Sequence, residues 1–315
     1  MSDDYAIGVD LGGTNLRAAA VDRSGTILAK ITANTQLSAG RDVIVNDIAT
    51  AIQGVKLQVE HGELAGVGIG IPGYIDIATG VVLGSANLPD FTGFAFRDAV
   101  QRRIGIPIIL ENDANAAALG EQWIGAGRGV KDLVLLTLGT GIGGGIIVDG
   151  KILHGFLGMA GELGHMTVIP DGNPCGCGNY GCLERHASAT AIVGMGRALG
   201  LGDQNLTSEE VYNLAVSGNE RAKAVFESMG RALGMALANL VNIFNFPLFL
   251  LSGGVLPAWD VFAPSMFEQV RKRSFSFVKT DTKIEKAILG NQAGLIGAAY
   301  LPFQEQSVRA ASSNS

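Results

Sequence analysis

The chain lays out one short pattern twice. Tyr5–Asp10 reads as a strand, followed by Leu11-Gly-Gly-Thr-Asn15, a strand over Leu16–Val21, a turn at Asp22–Gly25 and a strand over Thr26–Ala33. Far downstream, Asp132–Leu138 reads as an apolar strand, then come Gly139-Thr-Gly-Ile-Gly-Gly-Gly145, a strand over Ile146–Val148, an Asp149-Gly150 hairpin turn and Lys151–His154. Strand, glycine turn with a hydroxyl, strand, turn, strand, written twice, predicts a duplicated architecture with equivalent hairpins facing one cleft. Between and after the copies the periodicity is helical, over 41–60, 96–104, 114–123, 187–200, 207–217 and 219–245. Strands mixed with long helices predict an α/β fold. A final helix is expected near 292, and the Ser- and Ala-rich tail after Gln304 is expected to be loose.

Composition narrows the function. The formal net charge of −6, with no cluster of Lys and Arg, argues against a broad nucleic-acid footprint. The N-terminus has neither a basic nor an apolar segment of the signal-peptide kind, and no apolar run approaches the ~20 residues that span a bilayer. Sparse, clustered cysteine then points to a reducing cytoplasm. Glycine, at 45 residues, is about twice its usual share without a repeat, which suits tight turns and close backbone approach to a ligand.

Three cysteines are the chain's whole supply, and they fall in one loop, Cys175-Gly-Cys177-Gly-Asn-Tyr-Gly-Cys182, with His165 ten residues before Cys175. Three thiolates and an imidazole form the closed tetrahedral set that structural zinc takes. A disulfide fits an odd count poorly, and three small buried thiols beside a core histidine remain the other reading.

Other segments carry candidate chemistry. Asp10-Leu-Gly12-Gly13-Thr14 puts an acid at a strand end before two glycines and a hydroxyl, which suits phosphate oxygens and a Mg²⁺ held through water, or is an ordinary hairpin. The turn around Thr140 and Gly141 contains a literal G-x-G-x-x-G, but it runs into a strand rather than a helix, so the dinucleotide reading fails. Asn112-Asp113 opens a helix just after a strand: either residue could be the helix cap, and Asp113 could be the base that accepts a hydroxyl proton in phosphoryl transfer. Glu162 and Glu184 bracket the cysteine loop; exposed glutamates are usually solvated, but these two are better placed than most to bind sugar hydroxyls. Ser252-Gly253-Gly254 and Gly290–Gly294 could approach a nucleoside, or either could serve plain packing.

Taken in order, Asp10-Leu-Gly-Gly-Thr14, Pro72-Gly73, Glu111-Asn-Asp-Ala-Asn-Ala116, Leu138-Gly-Thr-Gly-Ile-Gly-Gly-Gly145, Gly161-Glu-Leu-Gly-His165, Cys175-x-Cys177-x₄-Cys182-Leu-Glu184 and Leu251-Ser-Gly-Gly254 resemble the ROK sugar kinases, and within them the bacterial glucokinases. The resemblance covers Asp10 to about Ala299. It implies a two-lobed actin-like ATPase fold of the ribonuclease H-like kind, with duplicated hairpin phosphate loops. The smaller lobe would span 1–113, rejoined by the helix over 292–303, and the larger would span 114–291 with the zinc loop at 165–182. It implies ATP-dependent phosphorylation of a hexose, most of all D-glucose, at the 6-hydroxyl. Asp113 would be the base; Gly73, Asn112, Glu162, His165 and Glu184 would bind sugar. Gly12, Gly13, Thr14, Thr140 and Gly141 would hold ATP phosphates, Asp10 would help place Mg²⁺, and Gly253 and Gly254 would approach the adenosine. His165 would put one ring nitrogen on a structural zinc, with Cys175, Cys177 and Cys182, and turn the other toward the sugar. A homodimer is expected on the same ground, with no nucleic-acid or membrane partner. Some relatives are sugar-sensing repressors, but these place a DNA-binding segment before the first glycine motif, where this sequence has nine residues. N-acetylhexosamines, mannose and fructose are the alternative substrates. One departure stands out: Arg185-His186 follow Glu184, where the family often has uncharged residues.

Overall fold

A computed structural model of the chain describes residues 4–13, 15–34, 40–85 and 87–313, with side chains to Ser307. In chain order the elements are β1 (Tyr5–Leu11), β2 (Asn15–Asp22), β3 (Ile27–Asn34), α1 (Arg41–Gln58), β4 (Leu64–Ile71), β5 (Tyr74–Asp76), β6 (Val81–Gly84), β7 (Phe94–Ala95), α2 (Phe96–Ile104), β8 (Ile108–Asn112), α3 (Asp113–Ile124), β9 (Leu133–Leu138), β10 (Ile142–Val148) and β11 (Lys151–Ile152). There follow α4 (Glu184–Ala187), α5 (Ala189–Ala198), α6 (Ser208–Val216), α7 (Glu220–Phe244), β12 (Leu248–Ser252), α8 (Trp259–Arg273), β13 (Lys283–Lys286) and α9 (Ala293–Ser313).

The duplication expected from the sequence is present as topology. One five-stranded sheet runs β3-β2-β1-β4-β8, and the other runs β11-β10-β9-β12-β13. In the first, β1 and β2 and then β2 and β3 pair antiparallel, while β4 and β8 add in parallel on the far side of β1. In the second, β10 and β11 pair antiparallel, and β12 is parallel to both β9 and β13. The parallel strands β4, β9 and β12 are apolar runs, as strands covered on both faces must be, whereas the edge strand β13 buries only Ile284. A small antiparallel sheet, β5-β6-β7, has no counterpart in the sequence reading.

The chain divides into two compact units. The first runs through Lys131, regains Gly145–Gly161 and takes the chain from Ile288 onward. The second comprises Asp132–Gly144 and Glu162–Ala287. The first unit thus includes α3 as well as α9. Its core joins the inner faces of β1, β2, β4 and β8 to Ile44, Ile48 and Ile52 of α1 and to Phe91 and Phe96.

Within that unit α9 approaches so closely that side chains are excluded. A methyl at Gly8 would strike the carbonyl of Leu295, at Gly68 that of Ala298, at Gly120 that of Ala293 and at Gly297 that of Ala116. Backbone therefore lies on backbone where α9 crosses β1, β4 and α3. The start of α9 is fixed again by Glu121, a fully buried carboxylate that accepts from the N–H groups of Ala126, Ile288 and Leu289. Contrary to the loose tail expected after Gln304, α9 continues to Ser313. Ala and Gln are ordinary helix formers, and the packed N-terminal half of the helix supplies the nucleus that a free tail would lack. Among the described residues no helix is long and apolar enough to cross a membrane.

Candidate functional site

In the first unit the candidate residues gather where β8 gives way to α3. Asn112 caps the helix: its Oδ1 accepts from the N–H of Ala114 at 2.9 Å and of Asn115 at 3.1 Å. Its Nδ2 remains to donate to the carbonyl of Gly73 at 3.2 Å. Cap and candidate ligand are thus the same side chain, using different atoms. Asp113, the first helical residue, also accepts from Ala114 N–H through Oδ1, at 2.9 Å. A carboxylate in the first turn sits in the favourable end of the helix dipole. Gly73 has φ 115° and lies against Gly84 and Ser85, so a side chain there would be strained and would collide.

Asp10, the penultimate residue of β1, lies beside these residues, since both Asp10 and the Asp113 carbonyl flank Gly294 at the start of α9. Burial raises the Asp10 pKa, and the Arg17 guanidinium at 3.6 Å opposes the rise. Gly12 closes the hairpin by donating to Asn15 O at 2.9 Å, and a methyl on Gly13 would meet nothing. Packing therefore does not require glycine at 13, whereas a ligand approaching the backbone would. Thr14 lies outside the described residues.

In the second unit the glycine turn is Gly139–Gly141, closed by Gly139 N–H on Gly141 O at 3.0 Å. The strand then begins at Ile142, four residues earlier than the sequence suggested, so Gly143 and Gly144 belong to β10 rather than to the turn. The Thr140 carbonyl is held by the Thr190 hydroxyl at 2.7 Å. Glu184 braces the same turn: its Oε2 accepts from Ile142 N–H at 3.0 Å, and it would collide with any side chain at Gly141. Glu162 lies close enough to His165 and Glu184 to feel both. Its pKa is raised by burial first, lowered by His165 and raised by Glu184.

The cysteine loop brings its four donors together. Cys175 Sγ lies 3.6 Å from His165 Nδ1, Cys177 Sγ lies 3.7 Å from Cys182 Sγ, and all four donor atoms fall within 4.8 Å of one another. The cysteines are free, and the Sγ–Sγ distance is far beyond a disulfide bond of about 2.05 Å. It matches the ~3.7 Å edge of a tetrahedron whose Zn–S bonds are ~2.3 Å. Burial first, and then the neighbouring thiols, push Cys182 up to about 12. His165 turns Nδ1 to this cluster and Nε2 toward Glu162, at 3.8 Å. The donor set fits zinc.

Arg185 and His186 brace the outer turn of the same loop. Asn173 donates to the Arg185 carbonyl at 3.2 Å, and His186 Nε2 lies against Gly172. Burial, and then Arg185, push the His186 pKa down.

Gly253 has φ 102° and lies on the backbone of Leu138, while Gly254 opens on a cavity of about 300 Å³. Ser208, Glu209, Tyr212 and Asn213 of α6 line its other side. Sequence reasoning missed these four. Their spacing, 208, 209, 212, 213, places them on one face of a helix, which was the available signal.

The sequence model of the ROK family spans residues 6–305. The chain is 38% identical to a glucokinase of Halalkalibacterium halodurans over 97% of both sequences. It is 41% identical to a glucokinase of Thermotoga maritima, over 94% of this chain and 96% of that one. Among solved structures, a ROK family glucokinase from Streptomyces griseus in complex with glucose and AMPPNP superposes with a TM-score of 0.80 at 36% identity, covering 95% of this chain and 99% of that one.

Proposed function

This chain belongs to the ROK family, and we propose that it transfers the γ-phosphoryl group of ATP to the 6-hydroxyl of D-glucose with Asp113 as general base. The observation that carries the reading is its likeness, along nearly its whole length, to a glucokinase seen with glucose and an ATP analogue. The enzyme is an ATP-dependent hexose kinase with the actin-like ATPase fold of its relatives.

The residues divide the work. Asp113 takes the proton of the attacking hydroxyl as its oxygen bonds to the γ-phosphorus and ADP leaves. Asn112 and Gly73 bind the sugar alongside it, as do Glu162, His165 and Glu184. The backbone at Gly12, Gly13, Thr14, Thr140 and Gly141 receives the phosphates, and Gly253, Gly254 and the α6 face receive the adenosine. Asp10, a carboxylate beside an open glycine, suits Mg²⁺, a cation that takes one or two carboxylates and keeps its waters. That ion would neutralise phosphate charge. His165, Cys175, Cys177 and Cys182 would hold a structural zinc that keeps the loop, and with it the His165 ring, in place. A homodimer, on family resemblance, and a cytoplasmic location, from the sparse and clustered cysteines, complete the reading.

Coupled measurement of ADP release across glucose, N-acetylglucosamine, N-acetylmannosamine, mannose and fructose tests it. Glucose should have the highest kcat/KM. Another sugar ahead by tenfold would move the assignment to a different kinase of the family.

A further inference from the structure

Behind the β8–α3 junction lies a polar cluster that the reaction described above does not use. The Glu111 side chain is only 3% exposed, yet all of its hydrogen bonds are placed. Its Oε1 accepts from Asn112 N–H at 2.9 Å and from Asn115 Nδ2 at 3.0 Å. Its Oε2 meets His154 Nε2 at 2.7 Å. His154 comes from the segment just after β11, and all of these residues lie within the first unit.

One carboxylate thus ties down the backbone of Asn112, one position before Asp113, and the side chain of Asn115, two positions after it. Its other oxygen rests on an imidazole. A buried carboxylate without a countercharge is costly, and a short contact to an imidazolium is the stronger form of the bond. We propose that His154 is a positioning residue for the reaction: its imidazolium holds Glu111, and through Glu111 the turn that presents Asp113 to the sugar hydroxyl. The proposal rests on Asp113 being the base.

The proton on His154 is set by identifiable groups. From β8, the hydrogen bond to Glu111 raises its pKa most, burial opposes this, and the Glu111 charge adds to the rise. A cavity of about 600 Å³ beside the ring is lined also by Arg97 of α2, Lys151 of β11 and Glu305 of α9. Arg97 is occupied with the carbonyls of Ile77 and Ala78. Lys151 and Arg97 disfavour the imidazolium and Glu305 favours it, but the direct contact is with Glu111. The raised pKa fixes the direction: the clamp is charged below it and is lost as pH rises through it.

The test is the single-turnover rate of phosphoryl transfer, at saturating ATP and glucose, for the wild type and His154→Gln across pH. Glutamine still donates a hydrogen bond but never carries the charge. At low pH the wild type should be faster by roughly tenfold, the worth of one charge-assisted hydrogen bond. The ratio should fall toward one as His154 deprotonates, with KM for ATP unchanged throughout. A ratio above one that stays constant with pH would mean a merely structural pair, and equal rates at low pH would mean no role; either overturns the proposal. Should His154→Gln fail to fold, NMR titration of the His154 ring in the wild type and in Glu111→Gln replaces it. The ring should titrate lower in the variant, and no change would overturn the coupling. Asp113→Asn, run beside these, separates the two readings. If it stays active, the base assignment fails; if it is inactive while the His154 ratio stays flat, only the positioning role fails.

Discussion

The turn over Glu111–Asn115 and the loop over His165–Cys182 both fix polar side chains, but they do so with different physics. In the turn, each polar group answers another: Asn112 caps the helix and reaches Gly73, while Glu111 receives Asn112, Asn115 and His154. In the loop, three thiols and an imidazole crowd their donor atoms within 4.8 Å of one another. Thiols are weak donors and weak acceptors, so this set gains little until a cation deprotonates and binds it. The turn is complete as protein, whereas the loop has the donor set that a metal would complete. Treatments that strip metals should therefore separate the two regions, and substitutions should separate them again.

The largest break belongs to the turn. Asp113→Asn should lower kcat by roughly 10²–10⁴, the usual cost of losing a general base. Shape is preserved and the asparagine oxygen can still accept from Ala114, so KM for glucose should change little. Steady-state kinetics decide this, and a near-normal kcat would remove Asp113 from the reaction.

The next belongs to the loop. Wild-type protein should carry one zinc per chain by elemental analysis. Cys177→Ser should lose most of it and raise KM for glucose by roughly tenfold or more, because ordered ligands position the side chains around them. A strong chelator should reproduce that loss in the wild type. Full activity in metal-free protein would show that the loop, like the turn, holds itself.

A third change should touch neither region. Tyr212 lines the cavity beside Gly254. Tyr212→Ala should raise KM for ATP by roughly fivefold to tenfold, as the loss of a base–aromatic contact would. KM for glucose should not follow. If it does, the cavity is not a separate nucleotide site.

The two regions were also legible to different degrees. Residue type and spacing pointed to the loop, because three cysteines and a histidine fall within eighteen positions, although three buried thiols beside a core histidine fitted that spacing too. The turn was half legible. Asp113 and Asn112 stood out at a strand end, but Glu111 looked like its neighbours, since its partner His154 is 43 residues away and joins it only through the fold. Glu121 is the extreme case, with partners 167 and 168 positions distant. The paired meanders were readable because strand, glycine turn and strand recur in order. The strands β5, β6 and β7 were not, at three, four and two residues, too short to show a period. The helix α8 was hidden by Pro264 within it, which local rules read as a break.

The smallest effect probes the turn from inside. Asn112 does two jobs with two atoms, and one pair of substitutions can divide them. Serine caps helices about as well as asparagine, so Asn112→Ser should leave stability within about 0.5 kcal/mol of the wild type. It cannot reach the Gly73 carbonyl or offer an amide to the sugar, so KM for glucose should rise by roughly threefold to tenfold, the worth of one neutral hydrogen bond. Asn112→Ala removes both functions and should cost about 1 kcal/mol of stability besides. Denaturant unfolding beside glucose kinetics reads the two losses separately. If serine behaves like alanine in both, the capping atom and the binding atom are not separable. The turn would then fix its side chains as a single unit, as the loop would around a bound metal.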